Sequence, residues 1–184
     1  TWANDMVTEI AAAAKGASKM FPSVRTIIDI GAEESRGVKV DANGRVIDFA
    51  KNEKCAAGVG SFVESMSRAI ETTVEQMGAL SLKSDKLIPM NVTCVVFAES
   101  EVVSLIHAKV SKEDVARAIH EAIATRTTSM VRRVGIEKDI ALIGGVAMNP
   151  GVVERLTQHL GVAPLVPKEP QIVVALGAAL LAAS

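Results

Sequence analysis

A chain of 184 residues, 49% hydrophobic and 22% charged, is long enough and apolar enough to bury the core of one ordinary folded domain. Its formal net charge of −1 excludes the basic field that nucleic acid or an anionic membrane demands; with 3% aromatic residues and no tyrosine it also lacks a stacking platform for single strands. No apolar run reaches membrane-spanning length, and the first residues lack the basic start and apolar stretch of a secretory signal, so a cytoplasmic location is expected.

An Ala-rich helix is predicted from Thr8 to Lys19, closed by Phe21-Pro22. Val24 to Gly31 is a β-branched run ending in glycine, the pattern of a buried strand. Ser35 to Val40 reads as a second strand and Arg45 to Ala50 as its return. Asn43-Gly44 between them predicts a hairpin turn with positive φ at both positions. Gly58 and Gly60 introduce a helix over 61–70, with Phe62, Met66, Ala69 and Ile70 on one face. Leu80 to Pro89 is linker-like, and its part from Ser84 onward reads as a loop. Cys94 to Ala108 is a helix striped by Val95, Ala98, Val102, Leu105 and Ile106. Ser111-Lys112-Glu113-Asp114 resembles a capping box opening a long helix to Val134, which Gly135 stops. Asp139 to Gly145 is a further buried strand, and Asn149-Pro150 opens a helix to about Leu160. Val162 to Val166 is a short strand, and Val173 to Ala183 is a small-residue helix suited to close packing. Strands followed by helices, with β-α-β at the end, give an α/β domain.

Two glycine turns carry phosphate chemistry. In Asp29-Ile30-Gly31-Ala32-Glu33-Glu34-Ser35, Gly31 lets a phosphate approach the main chain. Asp29 can hold Mg²⁺ or its water, and Glu33 or Glu34 can orient an attacking water. A plain acidic β-turn is the alternative for this piece. In Gly144-Gly145-Val146-Ala147-Met148-Asn149 a strand ends before a helix, so a flat ring or a phosphate can lie on bare backbone. Neither G-x-G-x-x-G nor G-x-x-x-x-G-K-[ST] occurs, so neither a dinucleotide fold nor a P-loop is indicated.

Cys55 and Cys94 each stand just before a predicted helix, where free amides stabilise a thiolate. They are either structural thiols or ligands. A [4Fe–4S] cluster takes four thiolates, so a cluster here requires a pair from each of two chains. His107, His120 and His159 lack ligand spacing; ordinary core or surface positions are expected, and zinc is not.

Four motifs resemble one family. They are Lys54-Cys55-Ala56-Ala57-Gly58-x-Gly60, Cys94-x-Val96-Phe97-Ala98-Glu99-Ser100-Glu101-Val102, Gly144-Gly145-Val146-Ala147-x-Asn149 and Ala175-Leu176-Gly177-Ala178-Ala179-Leu180. The chain is similar throughout to the BadF/BadG/BcrA/BcrD ATPases, the ATPase subunits of benzoyl-CoA reductase and the activators of 2-hydroxyacyl-CoA dehydratases. The resemblance implies an actin-like, Hsp70- and sugar-kinase-related (ribonuclease H-like) lobe, in which an antiparallel hairpin leads into a mixed sheet flanked by helices. On that pattern 1–23 is a connecting helix and 24–184 the C-terminal ATPase lobe, with a cluster-ligating helical insertion over about 55–134. No Gly-Ile-Asp-x-Gly-Ser-like turn precedes Thr1, so the family's N-terminal lobe is expected to lie outside this sequence, leaving about half of an ATP site and little hydrolysis by this piece alone.

The implied cofactors are a [4Fe–4S] cluster shared between two subunits and ATP or ADP with Mg²⁺. The implied cluster ligands are Cys55 and Cys94, the implied catalytic residues Asp29, Glu33 and Glu34, and the implied nucleotide-binding residues Gly31, Ala32, Gly144, Gly145 and Asn149. The implied partners are a paralogous ATPase subunit or a second copy, catalytic reductase subunits, and ferredoxin as electron donor. The family's turn reads Asp-Ile-Gly-Gly-Gln-Asp, whereas this chain has Ala32, Glu33 and Glu34. That departure points to the BcrD-type ATPase component of an anaerobic, dearomatising benzoyl-CoA reductase, in which ATP hydrolysis drives an electron through the cluster. The alternatives are a dehydratase activator, and a kinase-like lobe or assembly module without a cluster.

Overall fold

The computed structural model describes residues 6–52, 59–90 and 95–183. Four strands form one mixed sheet in the order β3-β2-β1-β4: β1 (Thr26–Ile30), β2 (Ser35–Val40), β3 (Val46–Asn52) and β4 (Ile140–Ile143). β1 runs antiparallel to β2 and parallel to β4, so β1 and β4 end on the same edge of the sheet. The short strand expected over 162–166 contracts to a single parallel bridge, Ala141 to Leu165.

The β2–β3 turn differs from the expected one. Gly44 has φ +74, but Asn43 keeps a negative φ. The cause is Asp41, whose Oδ1 accepts from the amides of Asn43 (2.8 Å) and Arg45 (2.9 Å). That Asx geometry needs left-handed backbone only at the glycine.

Alternation along the strands divides the core in two. Ile28, Ile30, Ile140 and Leu142 face α2 (Gly60–Ala69), α3 (Val74–Ser81), α5 (Lys112–Val131) and α6 (Pro150–Leu160). Ile27, Val38, Val40, Ala141 and Ile143 face α1 (Glu9–Met20) and the start of α7 (Val173–Ala182). α1 and α7 meet backbone to backbone: a Cβ on Gly16 would overlap the Val173 carbonyl, and one on Gly177 the Ala12 carbonyl. The small residues of both helices are what allow that approach.

α4 (Val95–His107) packs on α2 and α5. α5 stops at Val131, and the stretch expected to continue it tightens into a 3₁₀ turn, Arg132–Val134, before Gly135 at φ +78. Sequence reading missed α3. Its signal is a capping box: Thr73 Oγ1 accepts from the Gln76 amide (3.2 Å), and Gln76 Oε1 accepts from the Thr73 amide (3.4 Å). The linker-like stretch after α3 is anchored rather than free. Buried Ser84 donates to Asp114 Oδ1 (2.7 Å), and Lys86 reaches Asp114 Oδ2 (2.7 Å). Lys86, Ser84 and Ser111 together hold the Asp114 carboxyl down at about 2.

Candidate active site

Parallel neighbours β1 and β4 both end at glycine turns, and the chain leaves the sheet there on the same edge. A crevice outside the carboxyl ends of parallel strands is where open α/β sheets take ligands. Here it is a pocket of about 390 Å³. Gly31 and Ala32 form one wall, Gly145 and Asn149 the opposite one, and Val74 and Glu75 of α3 close the side.

The first turn is fixed from within and from outside. Gly31 donates to the Glu34 carbonyl (2.9 Å). Gly60 and Ser61, the first residues of α2, donate to the carbonyls of Gly31 and Ala32, both at 2.8 Å. The first two amides of α2 are therefore committed to the turn. Contact is close enough that a Cβ on Gly60 would lie 3.2 Å from both Ala32 Cα and the Gly31 carbonyl.

The second turn differs at its two glycines. Gly144 has φ +88, and a Cβ there would overlap the Ile30 carbonyl and stand 2.7 Å from Asp29 Oδ1. It joins β4 to the first turn and is not a lining residue. A Cβ on Gly145 would meet nothing within 4 Å, so its bare backbone opens onto the pocket.

Asp29 stands behind the wall, 3% exposed, and faces Arg36 directly across the β1–β2 ladder. Its Oδ2 accepts from Arg36 Nη1 at 3.0 Å. Burial raises the Asp29 carboxyl above the ordinary range, and Arg36 offsets part of that rise. Arg36 Nη2 also reaches Glu34 Oε2 (2.7 Å) and Glu9 of α1, so one guanidinium serves three carboxylates. Glu34 is thus turned to Arg36, and Glu33 is exposed; neither lines the pocket.

Asn149 caps α6 and is nearly buried. Its Oδ1 accepts from the amides of Gly151 (3.0 Å) and Val152 (3.3 Å). Its Nδ2 meets Nε2 of His120, a residue sequence reading left in the background.

Of the expected nucleotide residues the pocket unites Gly31, Ala32, Gly145 and Asn149, with Asp29 and Gly144 just behind. Sequence reading missed Arg36, although the register of the β1–β2 hairpin, which sets it opposite Asp29, was a signal that could have found it. Val74 and Glu75 depended on recognising the Thr73 cap. Cys55 and Cys94 lie outside the described residues. The helices that begin after them do pack together, α2 against α4. Among the described residues, no helix is long and apolar enough to cross a membrane.

A solved structure of the activator of the 2-hydroxyisocaproyl-CoA dehydratase from Clostridium difficile, with bound ADPNP, superposes with a TM-score of 0.94. It is 39% identical and covers 99% of this chain and 68% of its own. The activator of lactoyl-CoA dehydratase from Anaerotignum propionicum is 41% identical over 98% of this chain and 70% of its own length. A benzoyl-CoA reductase component from Thauera aromatica is more distant, 28% identical over 80% of this chain and 52% of its own length. An ethanolamine utilization protein, EutJ, from Carboxydothermus hydrogenoformans, at 19% identity and a TM-score of 0.57, shares the fold alone. The fold is that of an actin-like ATPase lobe, and the model of the BadF/BadG/BcrA/BcrD ATPase family matches residues 1–182. This chain belongs to the BadF/BadG/BcrA/BcrD ATPase family.

Proposed function

We propose that the chain is part of an ATP-driven activator of a 2-hydroxyacyl-CoA dehydratase. The observation that carries this reading is the identity of 39% and 41% to two such activators across 98% of the chain, against 28% to the reductase component. The turn sequence Ala32-Glu33-Glu34 suggested the reductase, but it marks no separate client. Glu34 is absorbed locally by its ion pair with Arg36.

The β1–β4 pocket takes Mg·ATP on this reading. Its volume is in the range of small-ligand sites, its place at the strand ends is right, and the similar activator holds ADPNP. The Gly31–Ala32 turn meets the phosphates, and the bare backbone at Gly145 lies against the flat base or ribose. Asp29, whose Oδ2 accepts from Arg36 and whose Oδ1 lies on the Gly144 side behind the wall, would orient a water of the Mg²⁺ shell once Mg·ATP is bound. Glu33 belongs to the same turn but lies outside the lining, so it would orient the attacking water only if the turn shifts when Mg·ATP binds, and bound Mg²⁺ would offset its repulsion from the γ-phosphate.

Cys55 and Cys94 hold a [4Fe–4S] cluster together with the matching pair of a second copy or a paralogue. When bound, that cluster supplies one electron at a time. Support comes from the thiolate chemistry of the pair and from the packing of the helices that follow them. The carbonyls of the first turn sit on the amides of α2, so a phosphate that shifts the turn also shifts the helix next to Cys55. The dehydratase and a ferredoxin complete the set of partners, in the cytoplasm.

The test is anaerobic reconstitution of the intact protein with ferredoxin, Mg·ATP and either 2-hydroxyacyl-CoA dehydratase or benzoyl-CoA reductase components. ATP-dependent dehydration of a 2-hydroxyacyl-CoA is expected, with iron and sulfide lost in Cys55→Ala and Cys94→Ala. Reduction of benzoyl-CoA would reinstate the reductase reading. Iron-free protein would leave a kinase-like ATPase or an assembly module.

A further inference from the structure

His120 is fully buried in the middle of α5, and the chemistry above does not use it. Its surroundings fix its protons without ambiguity. Asn149 Oδ1 already accepts two main-chain amides, so the group it turns to His120 Nε2 is the NH₂, at 3.3 Å. Nε2 therefore accepts. The ring proton sits on Nδ1 and is donated to Ser81 Oγ at 2.8 Å, and Ser81 passes its own proton to the Gly78 carbonyl at 2.9 Å. Every link points the same way, from Asn149 on α6 through α5 to Gly78 on α3. Protonating Nε2 would set donor against donor, and burial, with Arg155 nearby, holds the imidazole down at about 3.

The junction has no slack. A Cβ on Gly151 would overlap both Ser81 Oγ and His120 Nδ1, and one on Gly78 would stand 2.7 Å from Asn149 Oδ1. The two helices joined by the ring, α3 and α6, are also those whose first residues line the pocket: Val74 and Glu75 on one, Asn149 and Pro150 on the other.

We propose that His120 is a positioning residue of the nucleotide pocket, a neutral connector of fixed tautomer that orients Asn149 and sets the spacing of α3 and α6 around the ligand. The inference rests on the reading that this pocket binds Mg·ATP. Its consequence is that the two ring nitrogens have unequal weight: the Nε2 contact governs the ligand, and the Nδ1 contact governs packing.

Glutamine and asparagine separate the two, because the Gln amide falls near the Nε2 position and the Asn amide near Nδ1. In the intact protein, His120→Gln is expected to bind Mg·ADP within about twofold of wild type, since its Oε1 still accepts from Asn149. His120→Asn is expected to bind about tenfold more weakly, the usual effect of losing one buried hydrogen bond. Both are measured by calorimetry well below their melting temperatures. Equal affinities in both variants, or losses that merely follow melting temperature, would overturn the inference. The second arm needs no variant to fold. With ¹⁵N-histidine-labelled wild type, His120 is expected as the Nδ1–H tautomer, with an Nε2 resonance that moves on adding Mg·ADP. An Nε2–H tautomer, or a resonance that ignores the ligand, sinks the positioning role but leaves the nucleotide site standing. Wild type that binds no nucleotide brings down the functional reading itself.

Discussion

Asp29 and Arg36 set charge against burial, at 3% and 8% exposure. Because burial raises the Asp29 carboxyl, its ionised form costs stability at neutral pH unless Arg36 answers it. Arg36→Met is therefore expected to cost about 3 kcal/mol in urea unfolding, since it strands a buried carboxylate. Asp29→Asn should cost under about 1 kcal/mol, because Arg36 keeps Glu34 and Glu9, while hydrolysis fails. A larger loss for Asp29→Asn than for Arg36→Met would refute this ordering. His120 titrates in the opposite sense. Its folded value of about 3 lies below the ordinary 6.5, so its contribution is intact above pH 6.5 and drains away toward pH 3. Between pH 6.5 and 5 that amounts to about 2 kcal/mol. Stability measured against pH should fall less steeply over this interval in His120→Gln; parallel curves would contradict the assignment. The first of these residue pairs was readable from the hairpin register. The Ser81–His120–Asn149 chain was not, because only the packing of three helices brings together residues so far apart in sequence.

At the level of elements, local chemistry announced most of the architecture. Ser35–Val40 is the strand expected there, Ser111 and Asn149 cap the helices expected after them, and Thr8, expected as the first residue of its helix, is that helix's cap. The failures have local causes. α3 carries Gly78 and a weak apolar stripe, so its helical character lies in the Thr73 cap rather than in its periodicity. Residues 162–166 were expected to form a strand, yet the sheet edge engages Leu165 at a single bridge. Helix α7 illustrates a constraint that propensity scales invert. Alanine is the better helix former, yet Gly177→Ala is expected to destabilise the protein by about 3 kcal/mol or more, because its methyl would run into the Ala12 carbonyl. Chemical denaturation checks this, and a gain in stability would mean that α1 and α7 do not meet as described.

Over the whole molecule, the sheet edge that carries both glycine turns is also where α2 begins. Turn and helix are joined by hydrogen bonds from Gly60 and Ser61, with no side chain between them. Gly60→Ala forces that seam open by a few tenths of an ångström. The expected result in the intact, reconstituted protein is retained ATP hydrolysis with fewer activated dehydratase molecules per ATP; an unchanged ratio would place the coupling elsewhere. This link was invisible in the sequence, where Gly58 and Gly60 read only as the entry to a helix. The contact of α1 with α7 has a further consequence for how such a protein is made. α1 is made well before α7, the helix whose backbone it must lie against. Until α7 has been added, the Ala face of α1 and part of one side of the sheet lack this cover, so the growing chain leaves that apolar surface open while the residues between the two helices are made. Closure of this side of the sheet therefore waits on the second helix and not on the speed of local helix formation.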